Sequence, residues 1–176
     1  LADLRADGWA AAAEAIRTTD TRPKGFHRTL ELDGVEVTVS GIAKGSGMIH
    51  PNMATMLAFV ATDAPVAAGA LDLMLRQAVA DSFNRISVDG DTSTNDALTL
   101  SATGAAGGEP IAGPEDPRYA PLAEAVTAVC RELAHAIVRD GEGATRFITI
   151  SVTGAADAAE ADAIADQIAR SPLVKT

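Results

Sequence analysis

Two short segments that alternate apolar and polar residues flank an Asp-Gly pair in RTLELDGVEVTV, at residues 28–39. An Asp-Gly pair in this context is typical of a two-residue hairpin, because a type I′ turn needs positive φ at both central residues. Residues 28–32 and 35–39 are therefore predicted to be antiparallel strands joined at Asp33-Gly34. A sheet that contains this hairpin is antiparallel or mixed.

The apolar pattern predicts further helices and strands on both sides of the hairpin. Helices are predicted over residues 3–18, 120–139 and 157–170, and another helical face is formed by Leu71, Leu75, Ala78, Val79 and Ser82. Strands are predicted over residues 55–61, 97–101 and 146–153. Loops are predicted over residues 41–52 and 104–117, which are rich in Gly or in Gly and Pro. The fold class is therefore α+β, a layered antiparallel or mixed sheet with flanking helices, in one domain region.

The length and charge of the chain exclude several classes of protein. Its 176 residues suit one domain. It has 24 Asp+Glu against 14 Lys+Arg, a net charge of −10 and no basic block, so neither nucleic acid nor a membrane surface is expected as a partner. The apolar stretches are shorter than the roughly 18 residues that a spanning helix needs. The single cysteine excludes an internal disulfide framework and fits a reducing cytoplasm, and the charged N-terminus is unlike a signal peptide.

The polar residues do not form a recognisable metal site in the sequence. His27, His50 and His135 have no paired ligand spacing, so no metal is expected. The segment DGDTSTND at residues 89–96 has the oxygen-rich composition of a calcium loop but lacks the Gly and Glu that an EF-hand requires. Its side chains are interpreted as caps of turns, with the wall of a polar site as the alternative. Cys130 is interpreted as a small core residue.

A loop with two glycines and a proline leads into a predicted core strand in KGSGMIHPNMAT, at residues 44–55. Thr55 lies where this loop meets the strand, which suits a reactive group but is also ordinary for a β-branched strand residue. A phosphate loop is excluded, because a strand rather than a helix follows. Further along, DGEG at residues 140–143 is either a helix C-terminal turn with a solvated Glu142 or a turn that directs Glu142 into a site to bind an ammonium group.

The loop and its flanks, GIAKGSGMIHPNMATML at residues 41–57, closely resemble a known self-cleavage segment. That segment belongs to the bacterial ornithine acetyltransferase family, the bifunctional glutamate N-acetyltransferases of the cyclic arginine pathway. Three more matches follow the family's order: TTDT at 18–21 with Pro23-Lys24, VDGDTSTND at 88–96, and SPLVKT at 171–176. Together they extend over nearly the whole chain. The resemblance implies the self-cleaving fold shared by ornithine acetyltransferases and related aminopeptidases.

The resemblance implies cleavage of the bond between Ala54 and Thr55. Residues 1–54 would be the C-terminal part of an α chain, and residues 55–176 the N-terminal part of a β chain. Thr55 would become the new N-terminus and the nucleophile. Its own α-amino group would act as base, since such an amine titrates at about 7.7–8.0. The implied activity is ping-pong transfer of the acetyl group from N-acetylornithine to glutamate through acetyl-Thr55.

Other parts of a site and of an assembly are implied in the same way. Lys44, Thr55 and Glu142 match family positions that bind substrate, and Lys44 would suit a carboxylate and Glu142 an ammonium group. Residues 89–96 would be a supporting turn near the site. No cofactor is implied, although some members of the family also accept acetyl-CoA as a co-substrate. Paired α and β chains would associate as a heterotetramer in the cytoplasm.

Two departures from the family pattern bear on activity. Family chains are about twice as long, and the segments expected before Leu1 and after Thr176 include a Thr-Gly pair for the oxyanion hole and further substrate contacts. Because one preorganised oxyanion donor contributes about 3 kcal/mol, this piece alone is expected to have little or no activity. The alternatives are a self-cleaving aminopeptidase or amidase that uses water as acceptor, and a non-enzymatic fragment that assembles with partner subunits.

Overall fold

Helices and strands alternate along the chain in the computed structural model, which describes residues 5–50, 56–93 and 95–175. The strands are β1 (Lys24–Leu32), β2 (Val35–Lys44), β3 (Leu57–Thr62) and β4 (Ala97–Ala102). The helices are α1 (Trp9–Ala15), α2 (Ala68–Ala80), α3 (Tyr119–Arg139), α4 (Ala158–Arg170) and α5 (Pro172–Lys175), with a short 3₁₀ turn at Phe83–Arg85. The strands form one sheet in the order β1-β2-β3-β4.

The predicted hairpin is confirmed and is longer than the sequence pattern indicated. Asp33 has φ of 50° and Gly34 has φ of 79°, as a type I′ turn requires. β2 continues to Lys44, so the prediction of a loop from residue 41 is wrong for its first four residues. The reason is the close approach of α3: a Cβ on Gly41 would lie 2.9 Å from Leu133 Cδ1, so glycine here permits packing rather than a turn.

The sheet is mixed, as predicted. β2 pairs antiparallel with both β1 and β3, while β3 and β4 run parallel and are joined through α2. Lys44 at the end of β2 is opposite Leu57, and Leu57 is opposite Ala97 at the start of β4. The end of β2 and the starts of β3 and β4 therefore lie side by side at one edge of the sheet.

The core lies between the sheet and α3, which crosses β1 and β2 and also packs against α2. The predicted apolar stripe of α3 is confirmed, because all of its members are fully buried: Leu122, Val126, Val129, Leu133 and Ile137. Cys130 is buried among them, and burial raises the pKa of its thiol to about 12. The thiol is therefore a core group, as predicted, and stays protonated at neutral pH.

The predicted face of α2 is partly wrong. The fully buried row of this helix is Ala70, Met74 and Ala78, whereas Leu71 and Leu75 are only half-buried. Apolar residues occur on several sides of α2, so periodicity does not select one face. The row with two alanines lets the helix approach its neighbours closely.

The first helix is shorter than the predicted 3–18, of which residues 3 and 4 lie outside the described residues. α1 ends at Ala15, because the next residues turn toward the sheet. The Asp20 carboxylate accepts a hydrogen bond from Thr18 N, and Arg17 donates to the Asp20 carbonyl.

The C-terminal part of the chain packs differently from the core. The predicted strand at 146–153 is wrong, since none of the described residues pairs with this segment. Phe147 and Ile148 are 38% and 48% exposed. The predicted helix α4 is confirmed, and it begins with a capping box in which Asp157 accepts from Glu160 N and Glu160 accepts from Ala156 N. α4 has no buried residue.

Among the helices of residues 5–50, 56–93 and 95–175, none combines the length and the apolar character that crossing a bilayer demands.

Candidate functional site

Three ionisable side chains lie together in the interior beside the edge where β2, β3 and β4 meet. Lys24 at the start of β1 is fully buried, and its ammonium donates to carboxylates of Asp20 and Asp140, with Nζ 2.6 Å from Asp140 Oδ2. We call these residues the Lys24 cluster. Buried charges are tolerated only when they are paired and hydrogen-bonded, which this arrangement achieves.

Both carboxylates of the Lys24 cluster are held in the ionised form. Burial by itself would raise the pKa of Asp20, but the Gly45 N–H and the Lys24 ammonium outweigh it, and the pKa lies below its ordinary value. The pKa of Asp140 is also lowered, since hydrogen bonds from Lys24 and Thr21 and the Lys24 charge outweigh its burial. The cluster therefore carries a permanent set of charges at neutral pH.

The Lys24 cluster fixes the loop that follows β2. Gly45 N donates to Asp20 Oδ1 at 2.7 Å, and Ser46 Oγ donates to the Asp140 carbonyl at 2.8 Å. Ser46 in turn accepts from Glu142 N at 2.8 Å. One buried cluster thus holds both the loop that begins after Lys44 and the turn that carries Glu142.

Lys44 and Glu142, the two predicted substrate-binding residues outside the cleavage site, lie at opposite ends of this loop. Lys44 is half-buried at the end of β2, with Nζ 3.5 Å from Thr18 Oγ1. Glu142 is exposed, and its carboxylate lies against Gly47, where a Cβ would be 2.9 Å from Glu142 Cδ. Only glycine at position 47 lets the carboxylate lie over the loop. The structure therefore brings a cation and an anion to one loop.

The segment 89–96 caps backbone N–H groups, which confirms one of its two interpretations. The Asp89 carboxylate accepts from Met48 N at 2.5 Å and from Ile49 N at 3.1 Å. Met48 has φ of 57°, an uncommon conformation for a residue with a side chain. Asp89 therefore stabilises a strained turn shortly before residues 51–55.

Asp96 does the same after residues 51–55. Met56 N donates to Asp96 Oδ1 at 2.6 Å, and the Met56 carbonyl accepts from Ala97 N at 3.1 Å. Burial raises the pKa of Asp96, while the Met56 N–H and the Lys44 charge partly oppose the rise. Asp96 Oδ2 is buried and has no hydrogen-bond partner among the described residues.

Ala54 and Thr55, the predicted cleavage site and nucleophile, lie outside the described residues, as does the boundary predicted between 1–54 and 55–176. His50 and Met56 border them in the chain, and both flanks are held by the segment 89–96. Within the described parts of the chain, no group of three or more His, Cys, Asp or Glu side chains could hold a metal ion.

Sequence reasoning missed the Lys24 cluster as a structural feature. Asp20 and Lys24 were noticed only as parts of the matched segments at 18–21 and 23–24. Their spacing of four residues is a weak signal, and nothing local connects either of them with Asp140, which lies 116 residues beyond Lys24.

Known proteins resemble this chain over its whole length. The sequence profile of the ArgJ family matches residues 1–176. The arginine biosynthesis bifunctional protein ArgJ of Methylococcus capsulatus is 59% identical over 98% of this chain and 42% of its own length. The protein of the same name from Psychrobacter arcticus is 54% identical over 100% of this chain and 43% of its own length. The chain thus spans less than half the length of these relatives.

A solved structure agrees with the fold. The crystal structure of arginine biosynthesis bifunctional protein ArgJ from Bacillus halodurans has a TM-score of 0.64 and 48% sequence identity. The match covers 67% of this chain and 55% of the other. The mixed α+β fold and the resemblance noted from residues 41–57 are both confirmed, and the chain belongs to the ArgJ family.

Proposed function

We propose that this chain is part of an arginine-biosynthesis acetyltransferase that moves the acetyl group of N-acetyl-L-ornithine to L-glutamate. The relatives' names and identities of 54–59% support the pathway. The observation that carries the site is the anchoring of both flanks of residues 51–55 at the loop that carries Lys44 and Glu142. A reactive residue within 51–55 would have a cation and an anion beside it.

Thr55 is proposed as the nucleophile, after self-cleavage of the bond between Ala54 and Thr55. Thr55 Oγ attacks the Ala54 carbonyl, and the amide becomes an ester as the nitrogen of residue 55 leaves with a proton. Water then hydrolyses the ester, which releases the carboxyl group of Ala54 and frees both the hydroxyl and the amine of Thr55. The amine can then act as base for its own hydroxyl.

The transfer itself would proceed in two half-reactions. Thr55 Oγ attacks the acetyl carbonyl of N-acetylornithine, and ornithine leaves after its nitrogen gains a proton. The glutamate amine then attacks acetyl-Thr55 and restores the hydroxyl. Donors for the developing oxyanion are proposed to come from segments of the longer protein, so the 176-residue chain alone would have little or no activity.

Lys44 and Glu142 are proposed to orient the substrates. The Lys44 ammonium suits the α-carboxylate that both N-acetylornithine and glutamate carry, and the Glu142 carboxylate suits the side-chain ammonium of ornithine. No cofactor is required by this chemistry, and acetyl-CoA is proposed as a further acetyl donor. We further propose a cytoplasmic enzyme in which α and β chains from one precursor associate as a heterotetramer.

The central test is Thr55→Ala in the full-length protein, because alanine has no hydroxyl to attack either carbonyl. We expect a single uncut chain by mass spectrometry under denaturing conditions and loss of acetyl transfer to glutamate. Thr29→Ala, an exposed change on β1, is the matched control and should leave both processes intact.

Three outcomes would contradict the proposal. Cleavage or transfer at the wild-type rate in Thr55→Ala would rule out this nucleophile. Acetate release that does not depend on glutamate would indicate an aminopeptidase or amidase that uses water. An uncut full-length wild-type protein that forms no acyl-enzyme would favour a non-enzymatic assembly role.

A further inference from the structure

Asp96 fixes the residue at which β3 is about to begin. Oδ1 accepts from Met56 N at 2.6 Å, and the neighbouring Ala97 N donates to the Met56 carbonyl at 3.1 Å. Both backbone polar groups of Met56 are therefore bonded to two consecutive residues at the start of β4. This arrangement sets the direction in which the chain leaves Met56 toward residue 55.

The second carboxylate oxygen of Asp96 is available for another donor. Oδ2 is buried and has no hydrogen-bond partner among residues 5–50, 56–93 and 95–175. Lys44 on β2 is the charged group that acts on Asp96 from a neighbouring strand, and β3 contributes the Met56 N–H. On the same loop, Asp89 is occupied by Met48 N and Ile49 N. A buried carboxylate oxygen is unfavourable without a donor, so this one points to a group still to be placed.

Covalent geometry limits which group that is. The nitrogen of residue 55 is three bonds from Met56 N, a separation of about 3 Å. A carboxylate that binds Met56 N through one oxygen can therefore reach the preceding nitrogen through the other. We infer that Asp96 is a positioning residue whose Oδ2 accepts a hydrogen bond from the Thr55 amino group while Oδ1 holds Met56.

This inference rests on the proposed function, in which the Thr55 amine is free after cleavage and acts as base. An adjacent carboxylate favours the ammonium form and raises the pKa of the amine. The acidic limb of the pH–rate profile reports the loss of the neutral amine. Removing the negative charge at residue 96 should therefore move this limb to lower pH.

Asp96→Asn in the full-length protein is the sharpest variant. The amide oxygen can still accept from Met56 N, while the group that replaces Oδ2 becomes a donor. We expect acetyl transfer to fall at least about tenfold, because the amine is misplaced, and the acidic limb to move down by about one pH unit. Asp96→Glu, which restores the charge, should return the limb toward its wild-type position. Asp91→Asn removes the same charge from an exposed position on the same loop and should leave the limb unchanged.

The measurements keep folding and function apart. Thermal unfolding shows whether each variant is folded, and the pH dependence of Thr55 labelling by fluorodinitrobenzene gives the pKa of the amine where turnover is slow. A folded Asp96→Asn protein that stays uncut beside a cut Asp91→Asn protein supports the inference, because only the Oδ2 end of residue 96 differs. An unshifted limb in a folded, cut Asp96→Asn protein overturns it, whatever happens to the rate, and so does an equal shift in Asp91→Asn.

The result also separates this inference from the proposed function. Acetyl transfer that persists in Thr55→Ala removes the proposed function. Loss of transfer in Thr55→Ala together with an unshifted limb in Asp96→Asn removes only the role of Asp96.

Discussion

The α3 side of the molecule and its C-terminal segment, residues 144–175, both carry apolar residues at helical or strand spacing, but only the first is buried. Eleven residues of α3 are buried, and none of α4 is. Ile164 and Ile168 on α4 are 42% and 38% exposed, and Phe147 before it is 38% exposed. An apolar pattern therefore identifies which face of an element is able to pack, whereas burial also needs a surface to receive it.

The receiving surface for α3 is the hairpin of β1 and β2. Gly41 on β2 has no side chain, so Leu133 and Val129 approach the strand directly. α4 packs against α5, a helix of four residues that offers little apolar surface. The capping box at Asp157 shows that α4 is specified locally. A helix can thus be well defined by its sequence without contributing to the core.

The largest expected effect in this comparison is Lys24→Met, on the buried side. Methionine leaves the Asp20 and Asp140 carboxylates buried without their cation, and breaking a buried pair in this way costs about 3–5 kcal/mol. The free energy of unfolding of the 176-residue chain, from urea denaturation at pH 7, is the measurement. Arg28→Met, an exposed change on the same strand, is the matched control and should change it by less than about 0.5 kcal/mol.

The pH dependence of this loss has a definite sign. The folded-state pKa values of Asp20 and Asp140 are lowered, so their contribution is present above the unfolded value of about 3.9 and is lost as the pH falls through the folded values. The difference between wild type and Lys24→Met should therefore narrow as the pH falls below about 4. A difference that stays constant down to pH 2 would contradict the ionic explanation.

Leu133→Ala is expected to have a slightly smaller effect. Leu133 is 1% exposed and lies against Gly41, so its truncation leaves a cavity that a side chain on the strand cannot fill. Such changes cost about 2–5 kcal/mol, again measured by urea denaturation of the 176-residue chain. A cost below about 1 kcal/mol would mean that α3 and β2 pack less closely than described.

Ile168→Ala, the matching truncation on α4, is expected to have the smallest effect. The side chain is already 38% exposed, and alanine has the higher helix propensity, so the change in the 176-residue chain should stay within about 0.5 kcal/mol. A loss as large as that of Leu133→Ala would break the comparison. A larger loss in the full-length protein than in this chain would show that another segment covers α4.

The elements that the sequence predicted well are those whose signals are local. The hairpin follows from Asp33-Gly34, and α4 from Asp157 with Glu160, because turn and cap hydrogen bonds join residues a few positions apart. The segment 146–153 has an equally clear alternating pattern, yet it forms no strand. A strand exists only through its ladder with a neighbour, and the pattern within the segment carries no information about that neighbour.

The candidate site divides in the same way. Lys44 and Glu142 were identified from motifs, and the structure places both at the loop after β2. The assignment of Thr55 and of the cleavage at Ala54 stays a prediction. The contacts of Asp140 with Lys24 and of Asp96 with Met56 were not predicted, since they join residues 116 and 40 positions apart.

By itself, the sequence determined the local elements, the acidic charge and the motif that identifies the family. Only the tertiary structure decided that Gly41 is a packing position rather than a turn, that Lys24 lies buried between two aspartates, and that Asp96 holds the start of β3. The physical reason is range. Propensities, turns and caps act over a few residues, whereas the order of strands in a sheet brings distant side chains to one edge.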